Sequence, residues 1–375
     1  KASECKSDLD MRVYTSNLLG QSDELVLHGG GNTSVKSMVD GEEILYVKGS
    51  GWDLVSMKAE GFAPVKMATL LEMAKMKNLS DTDMVSGQKV AMIDETAPNP
   101  SVEAILHALI PFKVVDHTHA DAVVTISNSK QGKEIIEKLY PNFLIVPYVM
   151  PGFILAQKIY EMTEHDFDWG ACEGIVLHNH GIFTFDDDAK KSYDKMIEAV
   201  SKAEDFLEKN AEVVFDDIEP TVFELDDLEI DKFRHVNQTP LAVHYASQNN
   251  LRQAVTRGVL TPEHIIRTKR VPLVVEDWDV EDALRHYRVA YETYFNAYKT
   301  DEIMLDSRPK YAVVKNFGIV TFGKTPKEAE VINDVIEHTM MAVLRADKLG
   351  GYQSISIADS FDMEYWELEQ AKLKK

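Results

Sequence analysis

Two stretches of the chain carry the same frame. IVLHNHGIFTF (175–185) and AVVKNFGIVTF (312–322) share six of eleven residues, and each runs into a long amphipathic pattern, over 188–208 and 326–346. An Asn-x-Gly inside an apolar run reads as a tight turn between two buried strands, because Asn and Gly tolerate the left-handed backbone of such turns. A degenerate repeat of one strand–turn–strand–helix unit therefore restricts the fold to α/β units built twice. It also separates frame from function. The Asn, the Gly and the closing Thr-Phe are kept, whereas Lys315 and Phe317 stand where the first copy has His178 and His180.

The remaining pattern supports two regions. A helix is expected over 8–20, a strand over 24–28 and the loop GGGN, followed by strands near 33–36 and 44–48 joined by a hairpin turn at Asp40–Gly41. Pro64 precedes an apolar-periodic helix, VKMATLLEMAKM, and further helices fall near 87–93 and 102–109. KVVDHTHADAVV reads as a buried strand running into a helix, and FLIVPYV as another strand. Residues 212–231 are acidic, contain Pro220 and lack helical period, so they read as a linker or arm between a region 1–211 and a region 232–375. In the second region Thr261 is a candidate N-cap with Pro262 at the first helical position. Its basic run His264, Arg267, Lys269, Arg270 reads as a solvated helix end, and a helix is expected over 280–299.

With 375 residues and 45% hydrophobic content, two cores can be filled. A formal charge of −22 argues against nucleic acid or anionic membrane as partner, so an anionic substrate would need positive charge gathered locally. Two cysteines make no disulfide framework and point to a reducing cytoplasm, and no apolar run approaches the roughly 18 residues of a membrane span.

His117 and His119 in VDHTHAD are two apart, which in a strand sets both imidazoles on one face, able to converge on one ion. Three neutral imidazoles would leave a zinc ion an open position for substrate. Either His178 or His180 could supply the third, and spacing does not choose between them. Glu103 stands in the first turn of a helix, where a carboxylate serves a nearby ion as acid or base, or simply complements the helix dipole. His107, one turn on, reads as structural. HGGGNTSVK (28–36) and VKGSGWD (47–53) are glycine-rich turns that can offer backbone N–H groups to an anion, with Lys36 and Lys48 adding charge. They are not a dinucleotide fingerprint, since β-rich sequence follows rather than a helix.

In this order, the Gly-Asn turn, the second glycine turn, Ser-x-Glu on a helix, His-x-His and Asn-His-Gly together resemble the class II aldolase/adducin family. The resemblance implies a three-layer α/β/α fold. It also implies a zinc site of His117, His119 and His180, a catalytic Glu103, and substrate-phosphate contacts at Gly31, Asn32, Gly49, Ser50 and Ser101. Val102 departs from the second serine often found before the glutamate. LHGGGNTSVK, TPEHIIRTKRVPL and the tail FDMEYWELEQAKL are similar to proteins that join a rhamnulose-1-phosphate aldolase to a short-chain dehydrogenase. This implies an aldolase acting on a phosphorylated sugar, a homo-oligomer (a tetramer by default), and a dehydrogenase domain possible further along a full-length protein. The same family resemblance also admits sugar-phosphate 4-epimerases, dehydratases and a non-catalytic adducin-like module, the last of which predicts missing ligands.

Overall fold

Seven strands build one mixed sheet: β1 (Asn32–Val39), β2 (Glu42–Lys48), β3 (Phe62–Lys66), β4 (Val114–Thr118), β5 (Phe143–Val146), β6 (Gly174–Leu177) and β7 (Gly181–Asp186), in the order β3-β2-β1-β4-β7-β6-β5. Every neighbouring pair is antiparallel except β5 with β6. The computed structural model describes residues 2–215, 218–277 and 279–373; Asp216 and Asp217 of the acidic stretch, and the ends of the expected regions, Lys1 and Lys375, lie outside the described residues. The chain divides into two compact units, one holding the residues up to Val124 with Lys133–Asp205, the other Thr125–Gly132 with Phe206 onward. Among the described residues no helix is long and apolar enough to cross a membrane.

In the first unit, alternate residues of β4 face opposite layers. Val115 joins an apolar cluster with Leu106, Leu155, Ile159, Phe183 and Phe185, which seats the helices Ala104–Leu109 and Phe153–Thr163 on one face. On the other face buried Asp116 takes the Arg12 guanidinium at 2.6 Å and the Ser192 hydroxyl at 2.5 Å. That tie holds the helices Asp8–Leu19 and Ala189–Asn210 to the sheet. Helices thus cover both faces of a mixed α/β sheet. Asp40 and Gly41 both have positive φ, as a tight β1–β2 hairpin requires.

The second unit has a sheet of β8 (Phe233–Asn237), β9 (Leu273–Val275), β10 (Tyr311–Val314) and β11 (Gly318–Gly323), ordered β8-β11-β10-β9, with only β9 and β10 parallel. This is the pairing of β4-β7-β6-β5 over again. The turns match too: Asn179 and Asn316 have φ of 59° and 56°, and the following residues, His180 and Phe317, close equivalent turns on Leu177 and Val314. Thr184 and Thr321 each donate to a carbonyl eight residues on, Ser192 at 3.0 Å and Ala329 at 2.7 Å. His117 pairs with Phe183 across the ladder, and Val236 pairs with Val320, so Val236 occupies the place of His117. Two residues on, Gln238 stands for His119, and its amide goes to the Phe317 carbonyl at 3.3 Å.

Several local expectations are revised. Residues 24–28 form turns rather than a strand: Leu25 and Val26 bury their side chains while their N–H groups fold back onto Ser22. Pro64 lies within β3, its missing N–H tolerated on this edge strand, and the helix starts at Met67. The helix expected near 87–93 runs over Asp81–Val90, capped by Ser80. Thr261 turns its hydroxyl to Glu263, and the short helix begins at His264. Phe223, Leu228 and Ile230, from the acidic stretch, are buried in the second unit's core. Lys269 is not solvated, since its ammonium sits 3.8 Å from the Tyr291 ring centroid and 3.4 Å from the buried Glu364 carboxylate.

Candidate functional site

His117 is the penultimate residue of β4, His119 follows the strand, and His180 comes from the β6–β7 turn. The three rings form a near-equilateral triangle with centroid separations of 4.8, 5.0 and 5.2 Å. Among the described residues they form a group whose ligand atoms all lie within 4.8 Å of one another. The His117 ring stacks on Phe183 at 4.0 Å, and its Nδ1–H donates to the Ile182 carbonyl at 3.1 Å. That hydrogen bond fixes the tautomer, so the Nε2 lone pair is the one presented to the site. The His117 and His119 ε nitrogens are 3.0 Å apart.

His178 is outside the triangle. The strand stops at Leu177 and resumes at Gly181, and Asn179 has φ 59°, so alternation along a strand does not govern the two histidines. Gly181 is what allows the turn to come this close. A Cβ there would lie 2.4 Å from the Thr118 carbonyl oxygen and about 3 Å from the His117 and His119 rings.

Glu103 lies at the start of the helix Ala104–Leu109 and is buried. One carboxylate oxygen is 3.5 Å from His117 Nε2 and the other 3.6 Å from His180 Nε2. Three clustered imidazoles, two of them facing one buried carboxylate, form a nitrogen-and-oxygen donor set suited to zinc, with room for a further ligand. The residues therefore fit a divalent ion.

The glycine turns converge on the same place. Gly31, at φ 62°, lets its turn press against β4, where a Cβ would lie 2.6 Å from the His117 carbonyl oxygen. Gly49 bridges antiparallel to Pro100, which sets Ser50 against Asn99 and Ser101 against Lys48. The backbone N–H groups of Gly49, Ser50 and Ser101 are spent joining these loops, on the carbonyls of Gly61, Asn99 and Lys48. The Ser50 hydroxyl donates to the Pro100 carbonyl at 3.3 Å, and the Ser101 hydroxyl accepts from the Glu103 N–H at 3.3 Å. The Asn32 amide is engaged inside the site: its Nδ2 donates to Glu103 at 2.6 Å and to Ser101 Oγ at 3.2 Å.

The two lysines differ. Burial pushes both down to about 8, opposed at Lys48 by Asp53 and Glu103 and at Lys36 by Glu43 and Asp187. Lys48 donates to the Gly29 carbonyl at 3.0 Å, beside the glycine turn. Lys36 spends its ammonium on the carbonyls of Ile110 and Phe112 and is structural. His107 has a larger part than its sequence context gave it. It bonds both Asn32 and Ser34, a link that only the helical i, i+4 spacing from Glu103 foreshadows.

Residues 12–207 match the class II aldolase and adducin N-terminal domain, and residues 217–373 match the second domain of class II aldolases. This chain belongs to the class II aldolase and adducin family. A solved relative is the N-terminal class II aldolase domain of a conserved protein from Thermoplasma acidophilum, 40% identical over 54% of this chain and 95% of that one, with a TM-score of 0.51. L-fuculose-1-phosphate aldolase from Thermus thermophilus is 14% identical over 53% of this chain and 95% of its own, with a TM-score of 0.35. A Bacillus subtilis protein described as an uncharacterized oxidoreductase, YuxG, is 29% identical across the whole of this class II aldolase-family chain, which spans 59% of that relative's length.

Proposed function

We propose that this chain is a zinc-dependent lyase that cleaves a deoxyketose 1-phosphate, L-rhamnulose 1-phosphate, to dihydroxyacetone phosphate and lactaldehyde. The observation that carries the reading is one buried carboxylate, Glu103, set 3.5 and 3.6 Å from two of three clustered imidazoles. His117, His119 and His180 would hold the ion, through Nε2 in the case of His117. A divalent ion there supplies Lewis-acid stabilisation of the negative charge left on the three-carbon fragment when the carbon–carbon bond breaks. As the carbon–carbon bond breaks, the substrate hydroxyl that becomes the aldehyde carbonyl loses its proton, and Glu103, in its acid form, gives one to the carbon set free, so no net proton is consumed. In the synthetic direction the Glu103 carboxylate removes the proton from that carbon. The Ser50 and Ser101 hydroxyls, with the Gly31–Asn32 and Gly49 turns that shape their surroundings, take the substrate phosphate, and the Lys48 ammonium supplies the nearby positive charge. Burial of Glu103 and of the imidazole faces excludes the water that would otherwise protonate the fragment indiscriminately.

A dehydrogenase segment joined to this one in the full-length protein fits the greater length and the oxidoreductase name of the Bacillus relative. The substrate is tested by incubating the purified protein with rhamnulose 1-phosphate and following dihydroxyacetone phosphate. Release that stops on adding a chelator supports the reading. Formation of an epimer or a dehydrated sugar phosphate without fragments would replace it with the sister chemistries of the family.

A further inference from the structure

Two pairs of buried side chains run side by side behind the carboxylate. Asn32 and Ser34 are two apart on β1 and so share a face of the strand; Glu103 and His107 are four apart and share a face of the helical segment. Asn32 Nδ2 bonds Glu103 Oε2 at 2.6 Å, Asn32 Oδ1 bonds His107 Nε2, and His107 Nδ1 bonds Ser34 Oγ at 2.7 Å. Asn32, Ser34, Glu103 and His107 are all buried.

With Glu103 ionised and His107 neutral, one arrangement of protons satisfies this chain. A carboxylate can only accept, so the amide nitrogen of Asn32 must face it. The amide oxygen then faces His107, and since oxygen accepts, His107 must carry its proton on Nε2. Its Nδ1 is left as an acceptor, which the Ser34 hydroxyl fills. Burial, with His117, Lys36 and Arg12 nearby, holds His107 well below the usual imidazole range and keeps the ring neutral. The ring is further fixed edge-on to Phe183, with centroids 5.5 Å apart.

We propose that His107 is a positioning residue. As a neutral imidazole protonated on Nε2, it locks the Asn32 amide so that Glu103 Oε2 stays committed to that amide and Glu103 Oε1 is left as the oxygen that exchanges protons with substrate. This deepens the functional reading above and rests on it for the role of Glu103. A consequence is that the Asn32 amide links the carboxylate to Ser101, one of the hydroxyls assigned to the phosphate.

The test has two parts on the intact protein. Nitrogen-15 spectra of the imidazoles, recorded without substrate, should show His107 neutral and protonated on Nε2 from about pH 5 to 8, with that signal displaced in Asn32→Ala and in Ser34→Ala. A δ-protonated or cationic ring, or a signal indifferent to both substitutions, would overturn the proposal. In turnover, His107→Phe removes the donor to Asn32 and should lower kcat by about 10–100-fold with KM within about 3-fold. His107→Gln can return an N–H to Asn32 and should recover most of that loss at wild-type metal content. Equal losses in the two variants, or a loss carried by KM or by metal content, would make His107 merely structural and overturn the proposal. Because the spectra need no substrate, a wild-type protein that cleaves no ketose phosphate would defeat the functional reading separately from the hydrogen-bonded chain.

Discussion

The duplicated turn offers a matched pair of substitutions, Gly181→Ala and Gly318→Ala. An added Cβ at Gly181 would lie 2.4 Å from the Thr118 carbonyl oxygen, whereas real Cβ contacts do not fall under 3.0 Å, so the turn must retreat by at least 0.6 Å. The same methyl would meet the His117 and His119 rings at 3.0 and 3.1 Å, and it is carried by the residue next to His180. Metal–ligand distances tolerate only about ±0.2 Å, so a shift of that size disturbs the whole triangle. At Gly318 the added Cβ would lie 2.3 Å from the Asn237 carbonyl oxygen at φ 136°, the same backbone clash with no ligands around it. Each substitution should cost about 1–3 kcal/mol of stability through overpacking, somewhat more at Gly318 for its backbone strain. Metal affinity should separate them. Gly181→Ala should weaken zinc binding by about 10–100-fold, as loss of a ligand's supporting contact does, while Gly318→Ala keeps wild-type affinity. Competition against a chelating dye, beside thermal melts of both variants, reads the two quantities. Wild-type affinity in Gly181→Ala, or equal weakening in both, would refute the reasoning that the turn places His180.

Glu103→Gln keeps the shape and the Asn32 contact but cannot transfer a proton. It should lose about 10²–10⁴-fold in cleavage rate while retaining metal, measured by steady-state assay and elemental analysis. Arg12→Ala leaves Asp116 as a buried, half-satisfied charge and should cost about 3–5 kcal/mol, read as a lower melting temperature, whereas Asp116→Asn in the same background should restore part of it. Lys36 binds its proton more weakly folded than unfolded, because burial lowers it to about 8. The unfolded chain therefore holds more protons between about pH 8 and 10, and Lys36 contributes a rise in stability with pH there of at most about 1.4 kcal/mol per unit. Denaturant midpoints of Lys36→Met should lack that rise; an unchanged slope would contradict it.

The turn was legible because its requirement is local: a left-handed residue and a glycine leave their mark in Asn179, Gly181, Asn316 and Gly318. The depth of the duplication was not. β4, VVDHT, and β8, FRHVN, share no residue in register, and only their ladders show that Val236 stands for His117. One face of each strand answers to its own packing partners, so a shared place in a sheet need not leave shared side chains. The convergence of His-x-His, Glu103 and the glycine turns was readable from their order along the chain. What each polar group does there was not. Backbone N–H groups of Gly49 and Ser50 that read as an anion cradle are consumed by loop-to-loop bonds. Lys36 and Lys48 look alike in sequence, yet only Lys48 stays beside the glycine turn. Residues 24–28 hold a short apolar run, Leu25–Leu27, that reads as a strand, but Leu25 and Val26 are buried by a turn that supplies their hydrogen bonds locally. His107 read as a core residue because burial is the commoner fate of a histidine on an apolar face.

The central claim is that His117, His119 and His180, and not His178, hold the ion on which carbon–carbon cleavage depends. The most direct measurement compares His180→Ala with His178→Ala, each purified in the presence of zinc, for bound metal and for release of dihydroxyacetone phosphate. The account predicts that both signals vanish in His180→Ala and persist in His178→Ala. Equal retention in the two, or loss in His178→Ala alone, would contradict it.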